Sequence, residues 1–108
     1  GRIHGTRSTY SPTGEPETIE DWSNDRLNGL QIVFQNGEKV AEVPYVNGKR
    51  QGVEKRLRAG TDEVVQTITW SQDVRHGPSI VYVDESKITD WYFEGNKVSR
   101  AEFVEKRQ

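Results

Sequence analysis

The chain has 108 residues, of which 31% are hydrophobic and 30% charged, with no Cys and no Met. Leu, Ile, Val and Phe supply only 24 residues, about a fifth of the chain, which excludes a thick core and favours a thin sheet wetted on much of both faces. A net charge of −2 gives no overall pull toward nucleic acid or anionic lipid, the missing thiols exclude disulfide and thiolate chemistry, and no apolar run is long enough for a membrane-spanning helix.

The next feature in chain order is a repeat. Gly5, Gly29, Gly52 and Gly77 open four units, spaced by 24, 23 and 25 residues. Five residues after each comes a large apolar side chain: Tyr10, Phe34, Leu57 and Tyr82. A second glycine follows in three units, at Gly14, Gly37 and Gly60, with Glu85 in its place in the fourth. An aromatic closes each unit, at Trp22, Tyr45, Trp70 and Phe93, and a polar turn then leads onward.

Each unit reads as a hairpin. In the second, Leu30, Ile32 and Phe34 alternate onto one face, Asn36-Gly37 supplies a two-residue turn, and Ala41, Val43 and Tyr45 alternate on the return. Val53 and Leu57 with Val64, Ile68 and Trp70 repeat the pattern, as do Ile80 and Tyr82 with Thr89, Trp91 and Phe93. Short connections make consecutive strands antiparallel neighbours. The expectation is an all-β fold: a single-layer, twisted antiparallel meander of about eight strands. Pro44 removes one ladder donor and predicts a bulge or an unpaired site inside its strand.

Residues 1–98 form the array and residues 99–108 a C-terminal cap. Ser99-Arg100-Ala101-Glu102 matches a capping box, so the tail is expected to be a short helix, Phe103 and Val104 covering the end of the sheet. One further strand is the alternative. The first unit starts on a repeat boundary and the chain opens at Gly1 without Met, which reads as an excised or processed segment of a longer parent.

These residues resemble the MORN repeat, and its degenerate bacterial variant most closely. Asn28-Gly29, Asn36-Gly37, Tyr45 and Asn47-Gly48-Lys49 carry the best copy; His76-Gly77 with Phe93-Glu94-Gly95-Asn96-Lys97 carries another. The resemblance covers nearly the whole chain except the tail. It implies one hairpin per repeat and an elongated sheet, and a protein-binding or membrane-associated module; some bacterial members are labelled antitoxins. It brings no catalytic residues with it. Lys55 where an apolar residue would face inward, Glu85 for the turn glycine, and the low aromatic content per unit argue against a lipid-binding role.

Four groups of side chains invite a chemical reading. His4 and His76 lie about six strands apart, roughly 29 Å at the ~4.8 Å strand spacing, too far to share a metal. Glu15, Glu17, Glu20, Asp21 and Asp25 crowd the first unit and read as a solvated face. Lys49, Arg50, Lys55, Arg56 and Arg58 crowd the third with only Glu54 against them, and strand alternation splits Lys55 from Arg56. Trp22, Tyr45, Trp70 and Phe93 are the most coherent set. Equivalent positions predict one row across one face, as thin core or as a ledge for a protein partner. No set of residues here proposes a catalytic, cofactor-binding or metal role, so the expected function is a non-catalytic interaction module of a larger bacterial protein, or alternatively an antitoxin that blocks a toxin. Nucleic-acid binding is not expected, self-association through the sheet edge or face is, and the compartment is not legible.

Overall fold

The computed structural model describes residues 2–107. One antiparallel sheet runs through it in meander order, built from β1 (Gly5–Tyr10), β2 (Pro16–Ser23), β3 (Arg26–Gln35), β4 (Glu38–Val46), β5 (Lys49–Arg50), β6 (Gly52–Leu57), β7 (Val64–Ser71), β8 (Val74–Val83), β9 (Ser86–Phe93) and β10 (Asn96–Val98). The sheet does not close. Its 46 × 37 × 18 Å extents and 15.9 Å radius of gyration exceed the ~13 Å radius of a compact globule of this length. The all-β, single-layer meander expected from the repeat is therefore the fold.

Ten strands replace the eight expected for a simple reason. From the second unit on, the first strand begins directly after a tight turn, three residues before the unit's glycine at 29, 52 and 77. In β3 and β8 that lead-in is continuous with the rest of the strand. In the third unit Gln51 interrupts it, leaving β5 and β6 as two pieces that both pair with β4. Pro44 lies opposite this break: its carbonyl accepts the Gln51 N–H at 3.0 Å while its missing donor costs nothing, as expected of a strand proline at a bulge. β10 is the lead-in of a fifth unit that is never completed.

The turns between units are two-residue connections with both residues at positive φ: Asn24-Asp25, Asn47-Gly48, Gln72-Asp73 and Glu94-Gly95. That is the conformation whose twist matches the flanking strands. They also stack on one another. The second turn residue donates its N–H to a carbonyl one unit earlier: Asp25 to Ile3, Gly48 to Leu27, Asp73 to Arg50 and Gly95 to Arg75, at 2.7 to 3.1 Å. Where that residue is Asp, its carboxylate also accepts the facing backbone N–H, Ile3 to Asp25 at 2.6 Å and Arg50 to Asp73 at 2.7 Å.

The unit-opening glycines share a second constraint. Gly29, Gly52 and Gly77 have φ of +123°, +109° and +113°, where L side chains are strained. A Cβ on each would meet the residue that precedes the aromatic of the unit before: Asp21 at 3.0 Å, Pro44 at 3.4 Å and Thr69 at 3.1 Å. The repeat period is thus set by a seat into which a neighbouring strand packs.

At Ser99 the series ends. Ser99 stands four residues beyond Gly95, as Gly52 stands four beyond Gly48, but with φ −75° and ψ 162° it caps a helix instead. The reciprocal Ser99–Glu102 bonds complete the capping box, and α1 (Arg100–Lys106) begins there. Phe103, 8% exposed, packs its ring 5.1 Å from Trp91 and 5.4 Å from His76. Trp91 occupies the position of Asp21, Pro44 and Thr69, so the helix covers the seat that a fifth glycine would have filled.

Candidate functional site

Cross-strand partners point to the same side of a sheet, so the register assigns every side chain to a face. Gly5 pairs with Trp22, Gly29 with Tyr45, Gly52 with Trp70, and Gly77 with Tyr92. Three of the four aromatics expected to form a row do so. Phe93 does not: it is one residue out of phase and faces the opposite side, 4.9 Å from the His76 ring and 6.2 Å from Phe103. Tyr92 takes its place. The aromatic in each unit stands two residues before the first turn residue, Trp22 before Asn24, Tyr45 before Asn47 and Trp70 before Gln72, which makes Tyr92 before Glu94 the equivalent. Counting back from the turn, rather than forward from the glycine, identifies it.

Each aromatic pairs with the residue five positions on: Trp22 with Leu27, Tyr45 with Arg50, Trp70 with Arg75 and Tyr92 with Lys97. From Tyr45 onward the row is therefore a ladder in which cations alternate with rings, with Leu27 in the cation's place beside Trp22. The Arg50 guanidinium lies 3.7 Å over the Trp70 ring. Arg75 sits 5.8 Å from Trp70 and 5.3 Å from Tyr92. Such contacts are favourable because the ring face is electron-rich. Trp70 is buried and the other three rings are half-buried, so the row is core at its centre and accessible along its length.

Beside Trp70 lies Glu54, 4% exposed. It pairs across the sheet with Ile68, the most deeply buried side chain among the described residues. Its two oxygens take different donors: the Trp70 indole N–H at 2.9 Å and the Arg56 Nε–H at 2.8 Å. Glu20 does the same for Trp22 at 3.1 Å and for the Gln31 amide at 2.8 Å. In both cases a carboxylate is the acceptor that lets a tryptophan turn its N–H inward, and Glu20 is one of the acids expected on a wet face.

The same face holds an open depression of about 610 Å³, lined by Val43, Tyr45, Arg50, Glu54, Arg56 and Gln66 among others. Val40 and Val65, the extra residues of bulges in β4 and β7, also line this concave side. Burial pushes the Tyr45 phenol above its ordinary value, with the neighbouring Arg50 opposing. Asp73 is held below the usual carboxylate range by the backbone N–H and then the guanidinium of Arg50.

The other groups scatter. Arg50 and Arg56 lie on the concave face and Lys55 on the convex one, as alternation required; Arg58 pairs with Glu63 at 2.6 Å at a turn. Glu15 and Glu17 are exposed, Glu20 serves Trp22, Asp21 fills the Gly29 seat, and Asp25 closes a turn. His4 lies beside the first strand and is exposed; His76 accepts the Glu94 N–H on Nδ1 at 3.1 Å under the cap. Among the described residues no three His, Asp or Glu side chains are grouped to hold a metal ion. No family model matches the chain, and neither a curated protein nor a solved structure matches it.

Proposed function

We propose that the chain is a non-catalytic repeat module, of the MORN-like kind its sequence resembles and part of a larger bacterial protein, whose concave face binds a protein partner. The observation that carries this reading is the ring-and-cation ladder around a 610 Å³ open depression. Aromatic and Arg side chains held in place by neighbours lose little entropy on contact, which is why they dominate protein interfaces. A module of this kind presents a rigid, shallow surface rather than the enclosed site that chemistry on a small substrate needs.

Arg56 and Lys55 supply the test. They are adjacent on β6, both exposed, both cationic, and on opposite faces. Proximity cross-linking in cells, read by mass spectrometry, compares Arg56→Ala with Lys55→Ala. Partner capture should fall at least about fivefold for Arg56→Ala and stay unchanged for Lys55→Ala. Equal capture by both, or loss only with Lys55→Ala, defeats the concave-face reading.

A further inference from the structure

The open depression on the concave face has an apolar floor and a charged rim. Val33, Ala41, Val43 and Leu57 make the floor, and Arg50, Glu54 and Arg56 are its charged residues. Glu54 is fully engaged, with the Trp70 indole on one oxygen and Arg56 on the other. The two arginines are not. Each guanidinium is fixed through its Nε–H, Arg50 on Asp73 at 3.0 Å and Arg56 on Glu54 at 2.8 Å. The terminal nitrogens of both have no hydrogen-bond partner among the described residues. Both side chains also keep surface in solvent, 35% for Arg50 and 52% for Arg56. In a chain of net charge −2, this depression therefore offers two anchored cations with donors to spare. Their spacing is set by β4. Arg50 pairs with Tyr45 and Arg56 with Ala41, four residues apart or about 13 Å at ~3.3 Å per residue, with Val43 between them on the same face.

Resting on the concave-face reading above, we propose that the partner's contacting segment is acidic and amphipathic: an extended run with a large apolar side chain at its centre and a carboxylate two residues to either side. In an extended chain those three side chains share one face, and the outer two stand about 13 Å apart, the spacing of the two arginines. The apolar side chain enters the depression over Val43. Each carboxylate accepts from one guanidinium, whose parallel N–H donors match two oxygens. Because both guanidiniums are already held, little freedom is lost when the acids arrive. A neutral or basic segment would cover the same donors without satisfying them, which disfavours it. The chain itself carries this pattern at 17–21, 38–42 and 90–94, but each run lies in, or ends just past, a strand that is already paired. The segment therefore belongs to a partner polypeptide.

The probes are synthetic peptides built on Ser-Glu-Ser-Phe-Ser-Glu-Ser with both ends blocked, titrated into the isotope-labelled protein and followed by amide NMR. Amides of Val43, Arg50 and Arg56 should shift with a Kd of about 1 mM or tighter. Gln in place of both Glu, or Ala in place of Phe, should weaken binding at least about fivefold. Arg56→Gln should lower the Glu peptide's affinity to that of the Gln peptide and leave the Gln peptide's unchanged. If Arg56→Gln does not fold, the wild-type peptide series decides alone. Equal binding of the Glu and Gln peptides, tighter binding of a Lys counterpart, or no shift up to about 5 mM would each overturn the proposal. So would inorganic phosphate alone moving the same amides as strongly as the peptide. The cellular comparison of Arg56→Ala with Lys55→Ala reads the underlying reading separately. Capture lost there with no preference among the peptides rejects the acidic segment alone, whereas Glu-peptide shifts confined to the convex face around Lys55 reject both.

Discussion

Glu54 and Trp70 face each other from adjacent strands, and the indole N–H reaches the carboxylate at 2.9 Å in the most buried part of the sheet. The pair resolves a conflict within this thin fold, where the row needs a large ring at position 70 but burial would orphan its donor. Glu54 in turn is bearable because Arg56 takes its second oxygen. Removing the carboxylate leaves both donors without their acceptor. Glu54→Ala should therefore cost about 2–4 kcal/mol in urea unfolding. Glu54→Gln, which keeps one oxygen for the indole, should cost about half as much. The Trp70 Nε1 proton resonance reports the bond directly. An alanine variant as stable as the wild type would show that the pair positions the ring without stabilising the fold.

The glycine seats are testable by comparing equivalent positions. Gly77→Ala and Gly5→Ala impose the same positive-φ strain, about 1–2 kcal/mol. Only at Gly77 does the new Cβ also meet a β-branched side chain, Thr69, at 3.1 Å. Gly77→Ala should thus be more destabilising than Gly5→Ala by roughly 1 kcal/mol or more. Thr69→Ala should recover part of that difference. Equal losses at both positions would mean that backbone conformation alone fixes the repeat.

Much of this architecture is legible in the residue pattern, because glycines and turn dipeptides act locally. Asn47-Gly48 and Gly52 announce themselves by backbone conformations few other residues tolerate. The Ser99 capping box is equally local. What escapes the sequence is what depends on the third dimension. The substitution of Tyr92 for Phe93 turns on one residue of register, and both are aromatic. Glu20 and Glu54 look like solvated charges until the strand pairing places an indole beside each. The seats at Gly29, Gly52 and Gly77 emerge only when the strand before each is set beside it.

Asp73 and Tyr45 make opposite predictions for pH. Arg50 holds the Asp73 pKa below its unfolded value, so the stability it contributes is present above about pH 4 and is lost as pH falls through the lower folded value. Asp73→Asn should flatten the acid limb of the stability profile. Tyr45 is raised by burial, so the folded state favours the neutral phenol. Its contribution is present below about pH 10 and is lost as pH rises beyond that. Absorbance titration should show one phenol ionising late, and Tyr45→Phe should abolish that component. A Tyr45→Phe variant that still shows the late component would assign it to another tyrosine.

Ser79 is 8% exposed and its hydroxyl has no hydrogen-bond partner. It lies between Ile68 and Asp90 on the concave side. A buried, unpaired hydroxyl costs more than it returns, so Ser79→Ala should raise stability by up to about 1 kcal/mol. Destabilisation on that change would reveal a partner for the hydroxyl, such as a bound water.

The cap can be separated from the array that it closes. Ser99→Ala removes one side-chain acceptor and should cost about 1 kcal/mol, mostly as fraying of α1. Phe103→Ala removes the ring that bridges Trp91, Phe93 and His76, and should cost about 3 kcal/mol. The loss falls on the last unit first, because each hairpin touches only its neighbours and stability is a sum of local terms. Hydrogen exchange should then show β9 and β10 opening ahead of β3 and β4 in Phe103→Ala. The variant should also expose Trp91, with Val98 and Phe93 beside it, and turn the capped end into an apolar surface that self-associates with rising concentration. Uniform loss of protection across all the strands, with no such association, would mean that the sheet unfolds as one cooperative body and that α1 acts on the whole of it.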